Sequence, residues 1–415
     1  MLRLEARPAP SRLFAWASPL LALAITIVVA TLLFAALGKD PVKSLSVFLF
    51  EPFNGLRALT ELGLKATPLI LCSLGLALCF RANVWNIGAE GQFLMGAIAA
   101  GGLALWVTES RWPMSRWAFL PLAIAAGALG GAAWAAIVAL LRDRFNANEI
   151  LVSLMLVYVA NLLLSWLVFG PWKDPKGFNF PQSVSFADGA AMPRIVTGMR
   201  LHWGFVVALL AAVGMALFLS RFYRGFQMQV GGLAPAASRY AGFSSRSALW
   251  TALLTSGGLA GVAGAFEVTG PMGQLTPYVS NGYGFTAIIV AFVGRLHPLG
   301  CVFASVLLSM FLIGGELAQS RIGLPSALSG VFQGVLLFSL LACDTLIGYR
   351  LRWQRAAAQE RAERRAAPSR PAIPSGAEPG HEQSGGLFLP GDGLGQPAQR
   401  GQHGRPAYST DEGPT

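Results

Sequence analysis

Charge is scarce in this chain. Asp, Glu, Lys and Arg together make up 12% of its 415 residues, against about 25% in a soluble globular domain. A sequence so poor in charge and 54% hydrophobic cannot be solvated by water alone, so most of its surface must meet lipid. Strict alternation of apolar and polar residues is also missing, which argues against a transmembrane β-barrel. Cysteine is sparse: Cys72, Cys79, Cys301 and Cys343 fall singly within apolar runs, with no Cys-x-x-Cys spacing and no Cys/His cluster. Neither a disulfide framework nor a metal site is indicated, and the four read as small buried hydrophobes. Of four histidines, His381 and His403 lie near the C-terminal end, while His202 and His297 sit at the ends of apolar runs, where an interfacial position is expected. No Gly-x-x-x-x-Gly-Lys-Ser/Thr segment exists, so no P-loop is available to cradle ATP phosphates. The net charge of +11 is dispersed between apolar runs. It reads as short basic loops against lipid headgroups, not as a nucleic-acid surface.

What the chain does have is a series of apolar runs long enough to span, since about 20 residues cross the hydrocarbon core. They cover 13–38, 66–80 (extended upstream by 62–64), 85–107, 117–141, 150–169, 202–220, 248–269, 284–294, 299–315 and 326–345. The first exceeds the apolar core of a signal peptide and lacks a clear cleavage site, so it is kept as a helix. The expected fold is therefore an all-α polytopic membrane protein with about ten transmembrane helices. Several runs are short or interrupted, at Pro68, Gly270-Pro271, Gly294 and Pro298. Such breaks are tolerated where protein or a cavity satisfies the freed backbone groups. Glycine and alanine crowd segments 127–131 and 257–264, which read as faces of close helix–helix contact.

An even number of spans puts both termini on one side. A slight majority of basic residues falls on the N-terminal side, which favours cytoplasmic termini. Residues 1–12 form a cytoplasmic N-terminal segment, 13–350 a transmembrane domain with a basic cytoplasmic loop at 221–246, and 351–415 a tail. The tail is rich in Pro, Gly, Gln and Arg, cannot bury a core, and is expected to be disordered. Spans two to five and seven to ten start from opposite sides, as a possible inverted repeat would require.

Two segments carry candidate function. Asn83, Asn86, Glu90 and Gln92 stand inside an apolar stretch where a span would place Leu or Ile. Polar groups at membrane depth are costly, and they normally face a bundle interior or a solute path. Glu90 has three readings: it binds solute, pairs with Arg81 across a break in the helix, or caps the N-terminus of a broken helix. A structural role is favoured. In the basic loop, Pro235, Ala236, Ala237, Ser238, Arg239 and Tyr240, closed by Gly242, carry the start and stop signals of a short helix. Two turns are too short to stand alone, so this helix docks either on its own bundle or on a partner.

At this point the chain resembles the permease subunits of bacterial ABC importers of the branched-chain amino acid and simple-sugar class, and within it the nucleoside-type permeases. The resemblance rests on Asn86-Ile-Gly-Ala-Glu-Gly-Gln92, on Ala147-Asn-Glu-Ile-Leu-Val-Ser-Leu-Met-Leu156 and on Gly232-Leu-Ala-Pro-Ala-Ala-Ser-Arg-Tyr-Ala-Gly242. Gly282-Tyr-Gly-Phe285 and Gly294-Arg-Leu-His-Pro-Leu-Gly300 extend it. Two departures stand out: Leu233-Ala-Pro-Ala-Ala237 replaces the usual Asn-Pro-Glu-Ala-Ala, and His297 replaces an Asn.

The resemblance implies a type II ABC importer-like fold in a multi-pass protein of the bacterial cytoplasmic (inner) membrane. It implies a separate ABC ATPase subunit docking on residues 235–242, a second permease subunit, and a periplasmic or lipoprotein solute-binding protein. The chain itself is then no enzyme and needs no cofactor. A nucleoside would suit amide side chains, which offer paired donors and acceptors, and aromatic rings that stack on a base. Asn86, Glu90, Gln92, Phe93, Asn161, Asn281 and Tyr283 are the candidate path residues, with Trp85 as a further stacker; for each, plain interhelical hydrogen bonding or packing is the competing role. A simple-sugar (ribose-like) or riboflavin-like permease is the alternative. An ion-coupled secondary transporter would need more buried acids than Glu90 and Glu267.

Overall fold

A computed structural model describes residues 2–6, 12–110, 114–325 and 327–353. In chain order its elements are β1 (Leu2–Ala6), α1 (Arg12–Ala36), α2 (Pro41–Leu49), α3 (Leu56–Arg81), α4 (Ala89–Glu109), α5 (Arg116–Phe145) and α6 (Glu149–Phe169). Then come α7 (Gly204–Arg221), α8 (Tyr223–Leu233), α9 (Pro235–Tyr240), α10 (Ser245–Glu267), α11 (Tyr283–Val293), α12 (Pro298–Ile322), α13 (Leu328–Gly348) and β2 (Tyr349–Trp353).

All ten apolar runs are helical: α1, α3 to α7 and α10 to α13. Eight are long and apolar enough to cross a membrane, while α11 and the described part of α13 are shorter apolar helices. Helix is the form expected where no water is present to satisfy backbone groups. Local chemistry sets many of the boundaries. The Asn148 side chain accepts from the Ile150 and Leu151 N–H groups to start α6, and Ser244 accepts from Ser247 to start α10. Pro298 opens α12, and Gly323, at φ +69°, ends it.

α2 lies between the first two apolar runs and is not among the expected helices. The signal was present: Asp40 caps it by accepting from Val42 and Lys43, and Pro41 takes the first helical position. His202, at the start of an apolar run, is buried by the protein itself. It is 2% exposed, accepts the Gly204 N–H at 3.1 Å through Nδ1, and packs edge-on to Phe266.

The most buried span is α3, with α4, α10 and α12 also largely inside; α1, α5, α6 and α7 turn most of their surface outward. The small-residue stripes are where α4, α5 and α10 meet. A Cβ at Gly131 would lie 2.1 Å from the Gly257 carbonyl oxygen, and one at Gly96 would lie 2.2 Å from Gly261. Only glycine permits this approach. β1 pairs antiparallel with β2, which places the two ends of the described chain on one side of the bundle. β2 includes residues 351–353, which composition assigns to the tail; the tail from 354 onward lies outside the described residues.

Candidate solute path and coupling surface

The polar segment leaves α3 at Arg81 and turns through Asn83, whose φ is +55°. Asn86 and Gln92 then close on each other. Asn86 Nδ2 donates to Gln92 Oε1 at 2.9 Å, and Gln92 Nε2 donates back to Asn86 Oδ1 at 3.1 Å. Asn86 also donates to Ser256 Oγ on α10 at 3.0 Å and accepts the Gly88 N–H at 3.1 Å. Both side chains are buried, at 0% and 1% exposure, and in this conformation their amides serve the join between the pre-α4 loop and α10.

Glu90 reaches across to another helix. Its Oε2 accepts the Gly284 N–H at 2.7 Å, with Ser280, Gly282 and Phe285 close enough to act on the carboxylate. These groups form the N-terminal end of α11, so the carboxylate caps that helix, where negative charge is favoured. Gly284 is obligatory here, because a Cβ would lie 2.3 Å from the Glu90 nitrogen. Arg81 does not pair with Glu90. It donates to the Leu296 carbonyl at 2.8 Å and to Gln229 Oε1 on α8 at 3.1 Å.

The chain reaches this cap by an unusual route. α10 continues into a single π-helical turn, Val268–Met272, and then an irregular segment runs to Gly282. Leu275, at the start of that segment, exchanges hydrogen bonds with Ser183 of the long 170–203 loop. The following α11 has 11 residues, only about 16 Å of helix. Tyr283, its first residue, is 1% exposed and packs on Phe93 at 5.9 Å, with Lys65 Nζ 5.8 Å from its ring centre.

The remaining path residues lie apart from this buried group. Asn281 is exposed, with exposed Tyr278 and Phe285 a few residues to either side. Asn161 is exposed on α6 and bonds the Val157 carbonyl of its own helix at 3.1 Å, among the outward-facing Tyr158, Leu162 and Trp166. Trp85 is partly exposed and packs on Phe80. Asn86, Glu90, Gln92, Phe93 and Tyr283 are thus gathered between α3, α4, α10 and α11, whereas Asn161 and Asn281 belong to outer faces. Sequence reading missed Ser256, Ser280 and Gln229, single polar residues whose partners lie far along the chain.

On the side carrying both chain ends, α8 and α9 form an exposed helical pair. Pro235 opens α9, and Gly242, at φ +76°, follows it. Leu233 and Tyr240 are 87% and 97% exposed, Arg239 is exposed, and Ser238 is buried. The Gln229–Arg81 bond ties α8 to the end of α3, and the Arg81–Leu296 bond carries the tie on to the turn before α12.

These features define a multi-span membrane permease with a projecting helical pair on one face. The family described as the branched-chain amino acid transport system permease component matches residues 59–341, and this chain belongs to it. It is 33% identical to the glucose ABC transporter permease protein TsgB13 of Haloferax volcanii, covering 84% of this chain and 93% of that protein. It is 31% identical to the guanosine ABC transporter permease protein NupP of Bacillus subtilis, covering 77% and 91%. It is 26% identical to the nucleoside ABC transporter permease protein NupB of Lactococcus lactis, covering 77% and 89%. The chain is therefore an ABC permease of the branched-chain and sugar class, a non-enzymatic membrane subunit that works with a separate ATPase.

Proposed function

We propose that this chain, with a second permease subunit, forms the nucleoside pathway of a bacterial inner-membrane ABC importer, its termini in the cytoplasm and a solute-binding protein delivering from the far side. Similarity to permeases named for guanosine and for nucleosides carries this reading. The polar and aromatic residues at the start of α11 support it. In this reading exposed Asn281 contacts solute, with Tyr278 and Phe285 available to stack on a base. Glu90, Asn86, Gln92, Phe93 and Tyr283 hold the segment that presents them, and Asn161 faces the second permease. Pro235, Ala236, Ala237, Ser238, Arg239, Tyr240 and Gly242 form the ATPase coupling helix, with exposed Tyr240 and Arg239 as its anchors.

A simple-sugar permease is the second reading, favoured by the 33% identity to a permease named for glucose. Uptake of labelled guanosine into cells carrying the whole transporter, challenged with excess unlabelled nucleoside or glucose, separates the two. Competition by nucleosides alone is the expected result. Uptake of labelled glucose with no uptake of guanosine moves the assignment to sugars.

A further inference from the structure

A cavity of about 770 Å³ opens between the end of α5, α8, α9 and the start of α10, on the face carrying both chain ends. Its size falls within the range of small-molecule sites, roughly 300–1,000 Å³. Arg142, Arg224, Arg239 and Arg246 line it, against only two acids, Asp143 and Glu149. Both acids are already engaged. Arg246 Nε sits 2.7 Å from Asp143 Oδ2, which also accepts from Trp250 Nε1, and Arg142 Nε sits 3.2 Å from Glu149 Oε2. Arg224 and Arg239 have no carboxylate partner among the described residues; Arg224 reaches only the Ser247 hydroxyl.

Both residues line the same concave site without a carboxylate to balance them, so the site offers positive charge to an anion. The planar fork of arginine matches phosphate oxygens in paired hydrogen bonds. The rest of the wall suits a larger ligand than a bare ion: Tyr223 and Phe243 meet edge to face at 6.0 Å, and Gln227 adds an amide.

We propose that this cavity binds a phosphate-bearing anion, as a soluble phosphate ester or as a phospholipid headgroup. Arg224 and Arg239 hold the phosphate. Because α8 and α9 form its wall, occupancy sets the stiffness of the coupling surface; that consequence rests on the coupling role proposed above, whereas the binding does not.

The test uses the full-length permease with its partner subunits in nanodiscs of pure phosphatidylcholine. Labelled uridine 5′-monophosphate is the probe, and inorganic phosphate is the competitor. Saturable binding is expected, displaced by phosphate and weakened at least tenfold by Arg224→Gln with Arg239→Gln. Arg221→Gln, outside the cavity, should leave it unchanged. If the headgroup is the source, phosphatidylglycerol in the nanodisc suppresses the probe and is retained in native mass spectra only when both arginines are present. The proposal is overturned if neither probe, phosphate nor phosphatidylglycerol responds to the double substitution in a monodisperse complex. Crosslinks placing an acidic ATPase side chain in the cavity, with no anion bound, overturn it equally. A Tyr240→Ala variant that keeps coupled transport refutes the coupling role without touching anion binding.

Discussion

Replacing Glu90 with Gln changes almost no volume and so isolates what the carboxylate does. Glu90 is 5% exposed and accepts the Gly284 N–H at 2.7 Å, facing the donors at the start of α11. A carboxylate can accept at both oxygens. A Gln amide offers one acceptor and sets its own N–H groups against the backbone N–H groups of the helix end. Losing a hydrogen bond to a charged group costs about 1.5–3 kcal/mol, and losing the charge at a helix N-terminus adds roughly 0.3–2 kcal/mol. These terms overlap, so a net loss of about 2–4 kcal/mol is expected. α11 has only 11 residues and cannot compensate by its own propensity. Thermal unfolding of the purified complex in detergent should show Glu90→Gln well below wild type, with Glu90→Asp between them because charge is kept and reach is lost. Solute uptake should fall in the same order. Wild-type melting and uptake in the Gln variant would refute the capping argument, since the site would then need only the shape of the side chain.

Asn86→Ala or Gln92→Ala should each strand the partner amide in a dry site, costing about 1–3 kcal/mol, and the double variant should cost less than the sum; equal additivity in melting experiments would count against a coupled pair. Arg239→Ala with Tyr240→Ala should uncouple transport from ATP hydrolysis while the protein still inserts. A crosslinker placed at Tyr240, 97% exposed, should capture the ATPase, whereas one at buried Ser238 should not.

Most of the fold is legible in the sequence because membrane spans are written in one dimension. Runs of apolar residues, bounded by Asn148, Ser244, Pro298 or Gly323, need no knowledge of distant contacts to be read as helices. The stripes around Gly131 and Gly257 are legible for the same reason: a small residue at bilayer depth has few other uses. α2 was lost because its nine residues are too few to span, and length outweighed the Asp40–Pro41 start signal. The site is less legible. That Asn86 and Gln92 are unusual is plain from their surroundings, but their mutual pairing, and the choice of Ser256 as third partner, depend on how α10 packs against the pre-α4 loop. Glu90 could be expected to cap a broken helix, but not which one, because the capped end at Gly284 lies 194 positions away.

The polar residues form a continuous line of hydrogen bonds rather than an isolated pocket. Gln229 on α8 holds Arg81 at the end of α3, and Arg81 holds the Leu296 carbonyl between α11 and α12. The same loop after Arg81 carries Asn86, which pairs with Gln92 and Ser256, and Glu90 then grips the opposite end of α11. α11 is thus fixed at one end through Glu90 and at the other through Arg81, and Arg81 alone of these two touches the helical pair on the exposed face. A displacement of α8 can reach α11 through two hydrogen bonds without deforming the close-packed α4, α5 and α10 core, where glycine contacts leave no room to slide.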